Sequence, residues 1–320
     1  MKPASMESAP TVSIAMPAYN ASATIVAAIE SLLAQSFQDF ELIVCDDAST
    51  DGTTFLVEAF NDPRIKLLKN ASNMGEGVTR DKAIQAATGR WIAVIDADDA
   101  WLPHRLQTLL NAVGDAEQVV VFDDIMICHH TTTGLVPWRA LRGCRAFGSD
   151  GKHPIDVRLE DYIRADRLLI KPMFPAAAVL HGRLRHTRRR LGADNEYFIK
   201  LGITGLTFRY FPEAMYMYRM MPGSVTAQAD GVLSMSTCIQ DCLKLPGLSQ
   251  SVKLALEDKL RSLQHKETLH RASRALLAGH ALEAAKILAR DFQAIRISPG
   301  RLLRHLAYQF HRLRHSGRAR

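Results

Sequence analysis

Short apolar, β-branched runs alternate with helical patterns along roughly the first hundred residues, and this alternation restricts the fold more than any other feature. Apolar runs at 12–16, 40–45 and 91–95 are typical of buried strands. The segments between them carry helical spacing, as in Ile25, Ala28, Ile29, Leu32 and Leu33. Repeated βαβ units predict an α/β fold with a mostly parallel sheet flanked by helices. Ligands of such sheets bind at the carboxyl ends of the strands.

The pattern is looser after Pro103. "QVVVFDDIMIC" predicts another strand, residues 131–150 a loop or hairpin, and "GADNEYFIKLGITG" a helix stopped by glycines. "FRYFPEAMYMYRM" predicts a pair of strands broken at Pro212. From about residue 236 the chain is helical and rich in Leu and Ala. We therefore predict an α/β domain over residues 1–235 and a basic helical extension over residues 236–320.

Composition and charge indicate the cellular compartment of the protein and the kind of surface that it meets. No segment has the uninterrupted apolar length that spans a bilayer, and "MKPASMESAP" lacks the apolar core of a secretory signal. The five cysteines are scattered without paired spacing, which indicates reduced thiols. Residues 241–320 hold 16 Lys/Arg against 6 Asp/Glu, so the net charge of +7 belongs to the tail. We expect a cytoplasmic protein whose tail meets an anionic surface, with peripheral membrane contact as one form.

Two basic segments leave alternatives open. The tail carries an apolar stripe at helical spacing, formed by Leu302, Leu303, Leu306, Phe310 and Leu313. Arginines flank this stripe, so it is predicted either to dock on a membrane surface or to pack on the rest of the chain. The cluster "HGRLRHTRRR" at 181–190 could grip a diphosphate, although a solvated basic loop is the favoured interpretation.

Three aspartates follow the strand at 91–95 in "RWIAVIDADDAWLPHRL". Carboxylate oxygens suit a hard divalent cation such as Mg²⁺ or Mn²⁺, which would offset their charge. Asp is also common at the start of helices, so the spacing alone supports a metal site and helix caps about equally. We expect Asp99 to cap the turn into "LPHRLQTLL".

Other strand ends carry further candidates. Asp47 in "VCDDASTDGT" could accept a hydrogen bond from a base or ribose, whereas residues 49–52 are better explained as a helix-capping loop. Tyr19 in "PAYN" could stack near a base. Arg80 in "VTRDKA" could reach a phosphate, with a surface cation as its alternative.

Taken in order, five blocks resemble glycosyltransferase family 2, which has the GT-A, Rossmann-like fold. They are "VSIAMPAYNAS", "SLLAQSFQDFELIVCDDASTDGT", "NMGEGVTRDKAIQAATGRWIAVIDADDAWLP", "GADNEYFIKL" and "YMYRMMPGSVT". The resemblance covers about residues 11–228, and five ordered blocks are more specific than any single motif. It implies an inverting, metal-dependent enzyme that uses a nucleotide sugar, most often a UDP-sugar.

The resemblance also implies a role for each matching position. Those assigned to the nucleotide and its diphosphate are Pro17, Tyr19, Asp47, Arg80, Asp96, Tyr218 and Arg219. The first three would line the uridine site, Asp96 would face the ribose, and the last two would lie near the diphosphate. Asp98 would hold Mg²⁺ or Mn²⁺, and Asp194 would be the catalytic base.

Inversion at an anomeric carbon requires a carboxylate that takes the proton of the acceptor hydroxyl. Glu196 is the rival of Asp194, but at two residues' distance on a helix it faces another way. Two positions depart from the family pattern. Ala193 stands where an acidic residue usually precedes the base, and Asp81 stands where Asn is common.

The absence of a Q-x-x-R-W element and of membrane helices favours transfer of one sugar at a time over processive synthesis. The expected partners are a UDP-sugar donor and a polysaccharide or lipid-linked oligosaccharide acceptor. No nucleic acid is expected. A protein that binds nucleotide sugars without turnover, or a nucleotidyltransferase, is the alternative function; the chain lacks a glycine-rich triphosphate loop after its first strand.

Overall fold

A computed structural model describes residues 9–131, 134–165, 170–180, 184–187, 192–220 and 231–290. The strands are β1 (Val12–Ala18), β2 (Phe40–Asp46), β3 (Ile65–Lys69), β4 (Trp91–Val94), β5 (Ala100–Trp101), β6 (Val119–Thr131), β7 (Gly134–Leu141), β8 (Ile155–Val157), β9 (Met173–Pro175) and β10 (Thr207–Met220). The helices are α1 (Ile25–Leu33), α2 (Thr53–Glu58), α3 (Glu76–Gln85), α4 (Arg105–Val113), α5 (Cys144–Phe147), α6 (Leu159–Arg164), α7 (Ala176–Leu180), α8 (Ala193–Ile203), α9 (Gly231–Cys242), α10 (Gln250–Leu277) and α11 (Ala281–Arg290).

One sheet organises the molecule. Its strand order is β3-β2-β1-β4-β9-β6-β10-β5, with β7 beside β6 and β8 beside β10. Strands β1, β2, β3 and β4 are mutually parallel, and β6 is parallel to β10. Because β9 is antiparallel to both β4 and β6, these two groups run in the same direction. The predicted α/β sheet is therefore confirmed, and the antiparallel members are β5, β7, β8 and β9.

Strands β1, β2 and β4 are buried along their whole length because helices cover both faces of the sheet. Neighbouring residues of β2 enter opposite cores. Ile43 belongs to the core that also contains residues of α3, α8, α9 and α10, and Val44 belongs to the core that contains residues of α1 and α4. This burial on both faces explains why β1 and β2 show no polar alternation. Gly89, before β4, lies so close to β1 that a Cβ would stand 2.8 Å from the Ser13 nitrogen.

Residues 207–220 correct one prediction. They form the single strand β10 and not a broken pair, and β10 pairs with β6 along its length. The register shifts between Phe211 and Ala214, so Pro212 lies at an irregularity of the ladder where no amide hydrogen is needed. Residues 134–141 form the second strand of a β6–β7 hairpin, one of the two predicted alternatives.

Helices α9 and α10 pack on α8 and α6 and share the core on one face of the sheet, while α11 packs on α10. Cys238 and Ile239 of α9 and Leu256 and Leu263 of α10 join the core that contains Ile43. The helical character of residues 236–290 is thus confirmed, while the boundary at residue 235 stays a prediction. The apolar stripe at 302–313 lies outside the described residues. Of the helices in the described ranges, none combines the length and apolar character that crossing a membrane requires.

Candidate active site

Polar side chains gather at the carboxyl edge of the sheet. Asp47 follows β2, residues 96–99 follow β4, and Arg219 lies near the end of β10. Because these strands share one direction, segments far apart in sequence meet at this edge. The helices α3 and α8 add charged groups from one face.

Arg80 is a buried cation at the centre of this edge, with 2% of its surface exposed. Its Nη2 lies 2.6 Å from Asp96 Oδ1, and its Nη1 lies 2.6 Å from Asp194 Oδ1. Glu76, one turn earlier on α3, also accepts from Nη2. The alternative of a surface cation is therefore wrong, because Arg80 joins two of the predicted site residues.

Lys171, just before β9, is a second buried cation in the same cluster. Its Nζ lies 2.5 Å from Asp96 Oδ2 and 3.3 Å from Asp194 Oδ2. Asp96 and the neighbouring Asp194 raise the pKa of Lys171 far above its usual value, although burial opposes this. Lys171 and Arg80 thus bridge the same two carboxylates from opposite sides.

Asp194, in the first turn of α8, has a cation on each carboxylate oxygen. Burial favours its neutral form, but Arg80 and Lys171 outweigh burial and hold the pKa of Asp194 well below its usual range. A third group, His186, places Nε2 3.8 Å from Asp194 Oδ1. The Asp194 carboxylate is therefore ionised, and the neighbouring cations stabilise its negative charge.

His186 is itself fixed by Asp81 and Tyr197. Asp81 accepts from His186 Nδ1 at 2.6 Å and from the His186 amide at 2.7 Å. The imidazole stacks on the Tyr197 ring with 3.9 Å between centroids. Asp81, which departs from the family pattern, thus pairs with His186. Of the basic cluster at 181–190 the structure describes residues 184–187, in which His186 is 7% exposed and Arg185 is exposed; the rest lies outside the described residues.

Glu196 lies away from this cluster, as the helical spacing predicts. Its Oε1 is 2.7 Å from Lys200 Nζ one turn later, and Oε2 accepts from Thr187 at 3.2 Å. The residue is 5% exposed. Glu196 therefore has the burial and contacts of a structural carboxylate, unlike Asp194.

The three aspartates after β4 lie close together and differ in their surroundings. Each offers one carboxylate oxygen to a group within 4.8 Å of one another. Asp99 accepts from Tyr216 Oη at 2.6 Å and from the Arg219 amide at 2.8 Å, and α4 begins without a side-chain cap. The prediction that Asp99 caps this turn is wrong, because β10 supplies its partners.

Asp98 is the carboxylate of this group that its neighbours leave open. Within the described ranges, no side chain pairs with its oxygens. Burial and the nearby Asp96 raise the pKa of Asp98 to about 6. A carboxylate destabilised in this way gains from a cation, whereas Asp96 is already neutralised by Arg80 and Lys171.

The end of β10 contacts the segment that carries the three aspartates. Arg219 Nε donates to the Asp98 carbonyl at 2.6 Å, and the Asp96 amide donates to Tyr216 Oη at 3.2 Å. Tyr218 is half-buried against the core on the α1 side of the sheet. The predicted Tyr218 and Arg219 thus lie at the segment that carries Asp98.

The loop after β2 is held by its own carboxylates. Asp47 accepts from the amides of Met74 and Gly75, both at 2.8 Å, which fixes the chain entering α3. These bonds, together with one from Asn70, outweigh burial and lower the pKa of Asp47. Tyr19 beside it is 51% exposed, whereas Pro17 is buried within β1.

Comparison with known proteins places this arrangement in a family. The family model for glycosyl transferase family 2 matches residues 13–167. The succinoglycan biosynthesis protein ExoO of Rhizobium meliloti (strain 1021) is 30% identical over 268 residues, which cover 79% of this chain and 74% of ExoO. The chain belongs to glycosyltransferase family 2.

Further comparisons agree with this family. The glucosyltransferase WfgD of Escherichia coli is 49% identical over 100 residues, which cover 31% of this chain and 40% of WfgD. The Staphylococcus aureus TarS fragment 1–349, solved with UDP-GlcNAc, superposes with a TM-score of 0.63 at 19% identity, covering 91% of this chain and 82% of that one. This likeness supports the GT-A fold, and the family makes the chain a glycosyltransferase.

As a family 2 member, the chain offers a donor set that fits a divalent cation. Asp98 supplies an open carboxylate with a raised pKa, and further carboxylates stand within ligand distance of one another. Oxygen donors of this kind suit Mg²⁺ or Mn²⁺. Asp99 fits less well, because both of its oxygens accept hydrogen bonds.

Sequence reasoning missed Lys171, although a lysine inside the apolar run "LLIKPMFP" is an unusual feature. Its backbone is fixed by Arg105, which is fully buried and donates to the Lys171 carbonyl at 2.5 Å. Arg105 also pairs with Asp123 at 2.7 Å. A buried lysine needs a carboxylate partner, so such a position signals a charged site in the core.

Proposed function

We propose that this glycosyltransferase moves a single sugar from a UDP-sugar to a polysaccharide or lipid-linked oligosaccharide acceptor, with inversion at the anomeric carbon. The observation that carries the proposal is that Arg80 and Lys171 bridge Asp194 to Asp96, whose carboxylate lies close to that of Asp98. WfgD is named for a UDP-Glc donor and a diphosphoundecaprenol-linked acceptor, and TarS was solved with UDP-GlcNAc. Both support a UDP-sugar as donor, and the name of WfgD supports a lipid-linked acceptor.

Asp194 serves as the base in this proposal. Its carboxylate takes the proton of the acceptor hydroxyl while that oxygen forms a bond to the anomeric carbon. The bond from that carbon to the departing UDP oxygen breaks on the opposite face, and the electron pair leaves with UDP. The Asp98 carboxylate would hold Mg²⁺ or Mn²⁺, which would offset the negative charge of the diphosphate.

Arg80 and Lys171 link donor binding to the strength of the base. In the structure both cations hold the pKa of Asp194 low, and so weak a base accepts a proton poorly. A diphosphate placed nearby competes for the same cations and weakens their hold on Asp194. The pKa of Asp194 then rises when donor is bound, which couples proton transfer to the presence of the leaving group.

A donor screen tests the proposal directly. Purified protein is incubated with Mn²⁺ or Mg²⁺, a panel of UDP-sugars and glycan or polyprenyl-diphosphate glycan acceptors, and UDP release is measured. We expect acceptor-dependent UDP release and a product whose anomeric configuration, read by NMR, is opposite to that of the donor. UDP binding without transfer across the panel would instead identify a non-catalytic nucleotide-sugar-binding protein.

A further inference from the structure

The hairpin of β6 and β7 presents apolar side chains to solvent at the carboxyl edge of the sheet. Val136 is 46% exposed and Trp138 is 55% exposed. The other tryptophans, Trp91 and Trp101, are 3% and 2% exposed. Trp138 is thus the exposed tryptophan of the chain, and with Val136 it forms an apolar patch on the hairpin.

A β-bulge places Trp138. Ile127 of β6 pairs with Arg139 and Cys128 pairs with Pro137, so Trp138 is the additional residue of β7. Bulges bend a strand and redirect a side chain, often beside active sites. The Trp138 ring lies 5.1 Å from the His129 ring, and the Arg139 guanidinium lies 5.0 Å from its centroid.

The charge of this region has one sign. Residues 125–141, which form the hairpin, contain Arg139 and two histidines but no Asp, Glu, Asn or Gln, whereas Asp124 lies beside Arg142 outside it. Carboxylates and amides usually accept hydrogen bonds from the hydroxyls of a bound sugar. Because the hairpin has no such side chains, a glycan-binding subsite is disfavoured here. Exposed tryptophan and valine beside an arginine complement an anionic lipid surface, where the indole ring enters the interface and the guanidinium group contacts phosphate.

The hairpin adjoins the candidate active site. Ile127 and Cys128 pair with Tyr218 and Arg219 of β10 on one side and with β7 on the other. Two strand spacings, about 10 Å, therefore separate the backbone at Trp138 from that of Arg219. Arg219 in turn donates to the Asp98 carbonyl.

We infer that the β6–β7 hairpin docks this enzyme on an anionic lipid surface. Trp138 and Val136 insert at the headgroup level, and Arg139 contacts a lipid phosphate. This contact turns the carboxyl edge of the sheet toward the membrane. The inference concerns the surface alone and stands whichever sugar is donated.

Tryptophan fluorescence tests the docking, since the two other tryptophans are buried and Trp138 dominates any solvent-dependent change. The full chain is mixed with vesicles of phosphatidylcholine, with or without phosphatidylglycerol. We expect sedimentation with the anionic vesicles, a blue shift and protection from acrylamide quenching. Absence of vesicle binding, or binding without a blue shift, would overturn the inference. A blue shift of the fluorescence without lipid, caused by a soluble glycan or by a higher protein concentration, would also overturn the inference.

Variants identify the side chains involved. Trp138→Ala should lower the partition into anionic vesicles about tenfold, since burying such a ring is worth a little over 1 kcal/mol at partial insertion. Arg139→Gln should lower it about fivefold, and only when anionic lipid is present. The controls Phe55→Ala and Arg90→Gln, at side chains that are 73% and 63% exposed elsewhere, should bind as the wild type does. Equal binding by Trp138→Ala and the wild type would assign membrane contact to another surface.

Discussion

At the residue scale, the charge on Asp194 is set by its contacts with Arg80 and Lys171. Asp194→Asn keeps the size of the side chain but removes its capacity to accept a proton. We expect turnover to fall about a hundredfold to ten-thousandfold, the usual contribution of a general base. UDP affinity, measured by calorimetry, should change much less. Glu196→Gln is the matched control, and loss of turnover in that variant alone would move the base role to Glu196.

Lys171 offers a stability prediction at the same scale. Lys171→Met leaves Asp96 and Asp194 with one shared cation and should lower the free energy of unfolding by about 3 kcal/mol, as for other broken buried ion pairs. Adding Asp96→Asn should restore part of this loss, because it removes one of the two stranded charges. Urea denaturation measures both. Lys69→Met breaks an exposed pair with Glu58 and should cost less than about 1 kcal/mol. An equal cost for the two lysines would contradict the central role of Lys171.

At the element scale, one buried carboxylate joins three strands. Glu41 of β2 accepts from Ser13 of β1 at 2.6 Å, from Lys66 of β3 at 2.5 Å, and from the amide and hydroxyl of Thr88, both at 2.7 Å. Burial opposes ionisation, but these bonds together lower the pKa of Glu41. The stabilisation is therefore present above the pKa of the unfolded chain and is lost as the pH falls through the lower folded value.

Glu41→Gln should accordingly lower the free energy of unfolding by about 2 kcal/mol at pH 7, in the range for hydrogen bonds to a charged group. The difference from the wild type should shrink as the pH falls from about 5 toward 3. Denaturant unfolding across that range checks both statements. Glu58→Gln, at an exposed carboxylate, should show little change at any pH. A difference that grows in acid would contradict the assignment.

The elements also show what the sequence could and could not predict. The strands at 12–16, 40–45 and 91–95 follow from local apolar runs, and so does the edge where Asp96 and Asp98 lie. Asp99 was misassigned because its partner Tyr216 is 117 residues away. Lys171 escaped notice because only the assembled sheet brings two carboxylates to it. Contacts across such separations leave no periodic signal in one sequence.

At the scale of the whole molecule, the sheet and the C-terminal helices share a core. Cys238, Ile239, Leu256 and Leu263 are buried with residues of β1, β2 and β6. A chain of residues 1–235 would therefore expose this apolar surface. We expect it to be insoluble or unfolded, whereas residues 1–290 should unfold in one transition by circular dichroism. A stable 1–235 fragment would establish the predicted boundary as a domain limit.

A cation bound at Asp98 would act on the whole fold through mass action. The pKa of Asp98, raised to about 6, means that its ionised form destabilises the protein without a cation above that pH and has no such effect below pH about 4. Asp98→Asn should therefore raise the free energy of unfolding by about 3 kcal/mol at pH 7.5 in chelator, following the size of the shift in the pKa of Asp98. UDP with Mn²⁺ should raise the melting temperature of the wild type, and chelator should reverse this increase.

The variant should lose the Mn²⁺-dependent part of that increase while its stability in chelator is higher than that of the wild type. Higher stability in chelator together with a lost response to Mn²⁺ would identify Asp98 as a cation ligand. Removal of a structural carboxylate would instead lower stability with or without metal. Glu76→Gln is the control, because Glu76 touches Arg80 at the same edge of the sheet. Its response to Mn²⁺ should match that of the wild type. A full Mn²⁺ response in Asp98→Asn would place the cation on other residues.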